Sequence, residues 1–227
     1  MINKLIASSV SIFPKWFIEL FSKSYVAGYS SNEVLSIVEK LNNKGFSATI
    51  DILGEHVKDL EISKNITQQY CELFDNINSK SIDSNISVKP THIGLDISKN
   101  VALENFNKII DMAKKKSNFL RIDMESSTNT DDTLEIYKSL NDNYSEVGIV
   151  LQAYLKRSIN DIENLAGPRF NARICKGIYK EDSEIAYKEQ HMINNNFLEM
   201  AKLMLQKKSY VCFATHDQRL INSLVEL

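Results

Sequence analysis

Residues 147–177 read VGIVLQAYLKRSINDIENLAGPRFNARICKG, and the order of patterns in this stretch decides the fold class. Val147–Tyr154 is an apolar run interrupted by Gln152, and Ala172–Gly177 is a second, shorter run. Between them, Ser158 and Asp161 are spaced to cap a helix that carries Ile162 and Leu165. Strand, helix and strand in succession make the crossover unit of a parallel sheet.

The alternation continues in both directions. Upstream lie FSATIDIL (Phe46–Leu53), ISVK (Ile86–Lys89) and FLRIDM (Phe119–Met124), and downstream lies YVCFAT (Tyr210–Thr215), so six runs alternate with helical stretches. One such stretch carries Leu103, Phe106, Ile109, Ile110 and Ala113 at helical spacing. No Pro/Gly-rich linker divides the series. Ahead of it, Ser30 and Glu33 form a capping box before Val34, Ile37, Val38 and Leu41, and Gly45 supplies the stop. Pro14–Phe21 (PKWFIELF) starts an amphipathic helix with Trp16, Phe17 and Leu20 on one side, suited to packing on the chain's own core or to grazing a membrane. The expected organisation is N-terminal helices over residues 1–45 and a β/α domain over residues 46–227.

Strict alternation leaves an open doubly wound sheet or a closed (β/α)8 barrel. The open sheet wants a Gly-rich phosphate loop after an early strand, and Gly54 in LGEH is no such cradle. A barrel wants polar residues at the carboxyl ends of many strands, converging on one mouth. The ends here read Asp51, Lys89, Asp123 with Glu125, Gln152, Arg173 with Lys176, and Thr215-His216-Asp217. The expected fold is therefore α/β, of the (β/α)8 TIM-barrel type, incomplete here at about six units, with N-terminal helices.

Composition removes other classes. With 27 Lys+Arg against 29 Asp+Glu the formal net charge is −2, which argues against a nucleic-acid binder built on bulk positive charge. A chain 43% hydrophobic and 25% charged, with 7 Gly and 3 Pro, is neither disordered nor collagenous. No apolar window is long enough to span a bilayer, and the N-terminus lacks the features of a signal or transit peptide, so a cytoplasmic location is expected. Cys71, Cys175 and Cys212 include no CxxC, and His56, His92, His191 and His216 include no HxH or HExxH. Neither a disulfide framework nor a metal site is expected.

Several strand-end residues are candidates for chemistry. Asp123 closes a run that should be buried on both faces, where an unpaired carboxylate is costly, so it needs a cationic or donor partner in either a structural or a functional role. Lys89 suits a substrate carboxylate, or snorkels out of the mouth. In Arg173-Ile174-Cys175-Lys176-Gly177-Ile178-Tyr179 a strand rhythm carries two cations, Gly177 permits close backbone approach, and Arg173 offers a planar fork of donors for an anionic or electron-rich planar ligand. Gln152 is an amide where an apolar residue was due, so its polar atoms need partners from the backbone or from a heteroaromatic edge. Thr215-His216-Asp217 stands before a helix, as a phosphate site or simply an Asp N-cap.

Taken in order and spacing, FSATIDILGEHV, ISVKPTHIGLDIS, LRIDMESS, GIVLQAYLKRS, RICKGIYKE and FATHD resemble the proline dehydrogenase family, from about Ser30 to the end of the chain. The resemblance implies an FAD-dependent (β/α)8 barrel that oxidises L-proline to 1-pyrroline-5-carboxylate by hydride transfer and passes electrons to quinone, with peripheral contact at the inner face of the membrane. It implies that Lys89 binds the proline carboxylate, that Asp123 and Arg173 form the catalytic pair, and that Met124, Gln152, Lys176, Gly177, Ile178, Thr215 and His216 contact FAD. Lys180 stands where many bifunctional relatives carry Trp, which implies the single-function form. Two departures accompany these motifs. The family's THN reads Thr215-His216-Asp217, an acid close to the expected cofactor phosphates. Two further β/α units, on the order of 60 residues, with a paired Arg and Glu that clamp the substrate carboxylate, are expected to be missing at the C-terminus.

Two readings from other classes stand beside this one. The chain is an inactive truncated remnant or regulatory module on the same barrel, or a phosphate-sugar lyase using Lys89 or Lys176 as a Schiff base.

Overall fold

A computed structural model of the chain describes residues 26–227. The helix expected over Pro14–Phe21 lies outside the described residues. Contacts divide the chain into two compact units, Met1–Ala48 with Asn76–Ser84, and Thr49–Asp75 with Asn85–Leu227.

In the first unit the described part is dominated by α1 (Ser31–Asn42). Ser30 caps it by accepting the Glu33 N–H at 3.4 Å. The Glu33 carboxylate reaches back one residue further than a standard capping box and accepts the Tyr29 N–H at 2.8 Å. Leu35 and Val38 are the buried residues, whereas Ile37 and Leu41, expected on the inner face, are exposed. Beyond the helix, Gly45 takes a left-handed conformation (φ 85°). The Asn42 side chain then ties the turn to Asp83, donating to its carbonyl at 3.0 Å and accepting its N–H at 2.9 Å.

Among the described residues six strands form one sheet in the order β1-β2-β3-β4-β5-β6: Ala48–Asp51, Ser84–Val88, Leu120–Ile122, Val147–Gln152, Asn171–Cys175 and Tyr210–Ala214. From β2 onward every neighbouring pair is parallel. The intervening helices are α2 (Leu60–Ser79), α3 (Lys99–Lys115), α4 (Thr130–Asn143), α5 (Ser158–Leu165) and α6 (Gln190–Gln206), and α7 (Gln218–Val225) follows β6. Each expected run overshoots its strand at the carboxyl end; after β2, β3, β5 and β6 the residues beyond the ladder, Lys89, Asp123 with Met124, Lys176 with Gly177, and Thr215, line the mouth.

Period-two alternation separates the faces of the second unit's sheet. Ile86, Val88, Leu120, Ile122, Ile149, Leu151, Ala172 and Ile174 are buried on the helix side. The register pairs Ser87 with Arg121, Arg121 with Gly148, Val150 with Arg173 and Arg173 with Cys212, so the opposite face carries charged and small side chains. That face is concave. In a flat sheet β2 and β5 would lie roughly 14 Å apart, three strand spacings, yet Arg173 Nη2 on β5 is 3.4 Å from Ser87 Oγ on β2. Arg121 on β3 likewise comes within 3.9 Å of Cys212 Sγ on β6. The sheet is thus curled in the manner of a (β/α)8 barrel, as the alternation predicts.

One local expectation is corrected. Ser158 does not cap α5, because it already lies inside the helix and its hydroxyl donates to the Gln152 carbonyl at 2.6 Å. Asp161 instead accepts from Arg157 Nε at 2.8 Å.

Candidate active site

All ten site residues expected from sequence line one cleft of about 580 Å³ at the carboxyl end of the curled sheet: Lys89, Asp123, Met124, Gln152, Arg173, Lys176, Gly177, Ile178, Thr215 and His216. They come from the ends of five strands, β2 to β6, and one strap, residues 176–189, that runs from β5 to α6. The strap is fastened by a Leu155–Ala186 bridge and by the Glu181 carboxylate, which accepts from the N–H and hydroxyl of Ser127 at 2.7 and 2.6 Å.

At the centre, Asp123 and Arg173 are hydrogen-bonded, both with mostly covered side chains. Asp123 leaves β3 where its N–H bonds the Val88 carbonyl at 2.9 Å, so the ladder itself aims the carboxylate inward. Lys89 follows β2, and Pro90 forbids continuation of that strand's hydrogen bonding. Its ammonium lies 2.5 Å from Asp51 Oδ2 and 3.7 Å from Asp123 Oδ2. Two carboxylates therefore face two cations. Burial disfavours charge on Lys89, but the Asp51 carboxylate, helped by Asp123 and Glu125, outweighs it and holds the amine above its ordinary pKa. Such a lysine is a charged anion holder and a poor Schiff-base nucleophile at neutral pH, which counts against the lyase reading. Burial lifts Asp51 despite Lys89.

Gln152 shows where a ligand is wanted. Its amide donates to the Met124 carbonyl at 3.2 Å, while its Oε1, buried against the cleft, has no hydrogen-bond partner. An unmet buried acceptor costs about 1–3 kcal/mol, and a ring or amide N–H entering the cleft would satisfy it.

The remaining expected contacts are rearranged by local chemistry. Gly177 has φ 104°, and a Cβ there would fall 2.1 Å from the Tyr154 ring. The glycine is required by its own backbone and by Tyr154. At the head of α7, Asp217 is an N-cap whose carboxylate accepts the Arg219 and Leu220 N–H groups at 3.1 and 3.3 Å and also meets Lys176 at 2.7 Å. The helix donors expected to hold a phosphate are thus shared with Asp217.

Sequence reasoning missed several lining residues. Tyr179 and Cys175 line the cleft, and the Tyr179 hydroxyl donates to Glu55 at 3.1 Å. Asp51 was legible as a strand-end acid, but its pairing with Lys89 follows only from β1 lying beside β2. Burial pushes the Cys175 thiol up to about 11. Among the described residues no group of His, Cys, Asp and Glu could hold a metal ion.

A curled parallel sheet with its polar groups gathered at the strand ends defines a barrel-type protein whose chemistry sits in that mouth. Comparison with known proteins narrows the class. A family model for proline dehydrogenase matches residues 34–227. The chain is 32% identical over 212 residues to "Proline dehydrogenase 2" of Bacillus subtilis (strain 168), covering 93% of this chain and 70% of that protein. It is 30% identical over 208 residues to "Proline dehydrogenase" of Deinococcus radiodurans, covering 89% and 67%. The chain belongs to the proline dehydrogenase family. Among solved structures, proline utilization A (PutA) from Bdellovibrio bacteriovorus, inactivated by N-propargylglycine, superposes with a TM-score of 0.80 at 23% identity. That match covers 88% of this chain and 26% of the PutA chain, and it supports the fold.

Proposed function

We propose that this chain is a flavin-dependent oxidoreductase of L-proline, forming 1-pyrroline-5-carboxylate and delivering the electrons to a quinone. The observation that carries this reading is the convergence of Lys89, Asp123, Arg173 and the unpartnered Gln152 Oε1 on one cleft in a member of this family. The curated relatives named proline dehydrogenase bear on the substrate.

Proline presents a carboxylate and a ring nitrogen. In this reading Lys89, kept charged by its carboxylate neighbours, receives the proline carboxylate. Oxidation removes a hydride from the ring carbon next to nitrogen that does not bear the carboxylate, and a proton from that nitrogen, leaving a C=N bond. Bound flavin supplies the hydride acceptor. Arg173, tied to Asp123, places positive charge in the cleft where the hydride's negative charge must be accommodated. Gln152 Oε1 would accept from a ring N–H of the flavin, and Met124, Lys176–Ile178, Thr215 and His216, which line the same cleft, would hold the cofactor. Among the described residues no helix is long and apolar enough to cross a membrane, so exchange with a membrane quinone would occur by peripheral contact.

Absorbance and anaerobic titration test the reading. Purified chain supplied with FAD should be yellow, bleach on addition of L-proline and recover its colour with a soluble quinone. Flavin binding without bleaching would favour the regulatory-module reading, and absence of flavin binding would overturn the cofactor assignment.

A further inference from the structure

Asp51 stands behind the cleft, paired with the lining residue Lys89, and the mechanism above gives it no task. It closes β1, beside β2, and its two oxygens have different surroundings. Oδ2 lies 2.5 Å from Lys89 Nζ. Oδ1 faces the Tyr70 hydroxyl at 3.5 Å, and Tyr70, fully buried on α2, also donates to the Ile52 carbonyl at 3.3 Å and meets His92 Nδ1 at 3.4 Å. The carboxylate is therefore held from the core side through Oδ1 and turns Oδ2 to Lys89.

The consequence concerns how the charges are sorted. Lys89 has a flexible stem and two acids within reach, Asp51 at 2.5 Å and Asp123 at 3.7 Å. Asp123 is already bonded to Arg173. If Asp51 were neutral, the nearest anion for the Lys89 ammonium would be the one Arg173 uses, and the two cations would compete for a single carboxylate. We infer that Asp51 is a positioning residue that acts through Lys89, holding its ammonium on the β1 side so that Asp123 remains the partner of Arg173 and Lys89 stays open to an incoming carboxylate. This rests on the proposed function only in naming proline as the source of that carboxylate.

Groups that set the charge of Lys89 are Asp51, Asp123 and Glu125, and the neighbouring His92 is held below its ordinary pKa by burial and by the Lys89 charge. Loss of Asp51 removes the closest of them, so the amine should release its proton at lower pH.

The test uses the full chain and the variants Asp51→Asn, Asp51→Glu, Lys89→Met and Asp51→Asn/Lys89→Met, with cyclopentanecarboxylate as a ring acid that has no nitrogen to oxidise. Asp51→Asn should weaken binding of the ring acid, and raise KM for proline, by about tenfold or more while kcat changes by less than about threefold. Asp51→Glu should recover part of the loss. In the Lys89→Met background the Asp51→Asn change should cost nothing further. An equal loss in both backgrounds overturns the inference, since Asp51 would then act independently of Lys89. A second arm reads Lys89 directly: after 13C reductive methylation, its resonance, assigned with Lys89→Met, should titrate at least about one pH unit lower in Asp51→Asn. An unmoved titration also overturns the inference. If the parent chain fails to oxidise proline, the proposed function falls while the Lys89 titration still decides the role of Asp51.

Discussion

The Lys176 ammonium lies 2.7 Å from the Asp217 carboxylate that caps α7. A strand-end cation and the free N–H groups of a helix start are two features that attract an anion, and here one side chain occupies both. Asn194 adds a third bond to the same carboxylate at 3.2 Å. The Lys176 side chain, its Asn194 neighbour and the α7 N–H groups hold the Asp217 carboxyl well below the usual carboxylate range.

Asp217→Asn should therefore strengthen FAD binding several-fold at low salt, because Asn still caps the helix while Lys176 and the helix start lose their competing charge. Flavin fluorescence titrations on wild type and variant measure this, and the gain should shrink at high salt. Weaker binding in the variant would mean that Asp217 itself organises the cofactor site. The pH sign is fixed by the depressed carboxyl: its contribution to stability is fully present above the ordinary carboxylate value and is lost as pH falls through the lower folded value. The wild-type advantage over Asp217→Asn should thus disappear in acid.

Asp123→Asn should leave the unfolding transition near that of the parent and lower proline oxidation by at least about tenfold, because it removes the charge that pairs Arg173 and faces Lys89. On the proposed function, Arg173→Ala should slow flavin reduction more than it reduces flavin retention, since several strands share the cleft wall. Stopped-flow bleaching reads the rate, and absorbance after desalting reads retention. Unchanged turnover in Asp123→Asn with normal flavin content would return the pair to a purely structural role.

Cys175 offers a test with no cofactor. Its thiol lines the cleft but is pushed up to about 11 by burial, so at pH 8 only about one part in a thousand should be thiolate. Alkylation of Cys175 by iodoacetamide, followed by peptide mass spectrometry, should be slow at pH 8 and accelerate up to about pH 11. Rapid modification at pH 8 would show a cleft more polar than the one described.

How much of this was legible in the sequence depended on which face a residue occupies. The helix-facing row, such as Ile86, Leu120, Ile149 and Ile174, is apolar, so the runs announced the strands. Asp123 and Arg173 stood out because a strand buried on both faces has no ordinary place for charge. Partnerships were less visible. Asp51 and Lys89 are 38 residues apart, and Tyr179 and Glu55 are 124 apart, so their meeting depends on strand order and curvature rather than on local pattern. Ser158 and Asp161 carried a capping signature, but the Gln152 carbonyl and Arg157 engage those side chains. At Gly177 the sequence marked a special backbone but not its cause, the Tyr154 ring.

The last prediction concerns Arg121, the buried cation one layer below Asp123 and Arg173. Its guanidinium donates to the Ile149 and Asn171 carbonyls at 3.2 and 3.3 Å and sits 4.7 Å from the Phe119 ring centroid. Burial, with Arg173 nearby, brings its pKa down to about 10, which still leaves it charged at neutral pH. Space for that charge exists because the facing position on β4 is Gly148: a Cβ there would lie 2.4 Å from Arg121 Nη1, 2.7 Å from Phe119 Cζ and 2.8 Å from the Asn171 carbonyl oxygen. Gly148→Ala should therefore destabilise the fold by about 1–3 kcal/mol through overpacking, measured by urea unfolding. Arg121→Ala removes the nearest obstacle, so the double variant should be less destabilised than the sum of the two singles, with a coupling of about 1 kcal/mol. The relief should be partial, because Phe119 and the Asn171 backbone still crowd the added methyl. Strict additivity of the two changes would show that the sheet absorbs the methyl without pressing on Arg121, and that glycine is not what makes room for the buried cation.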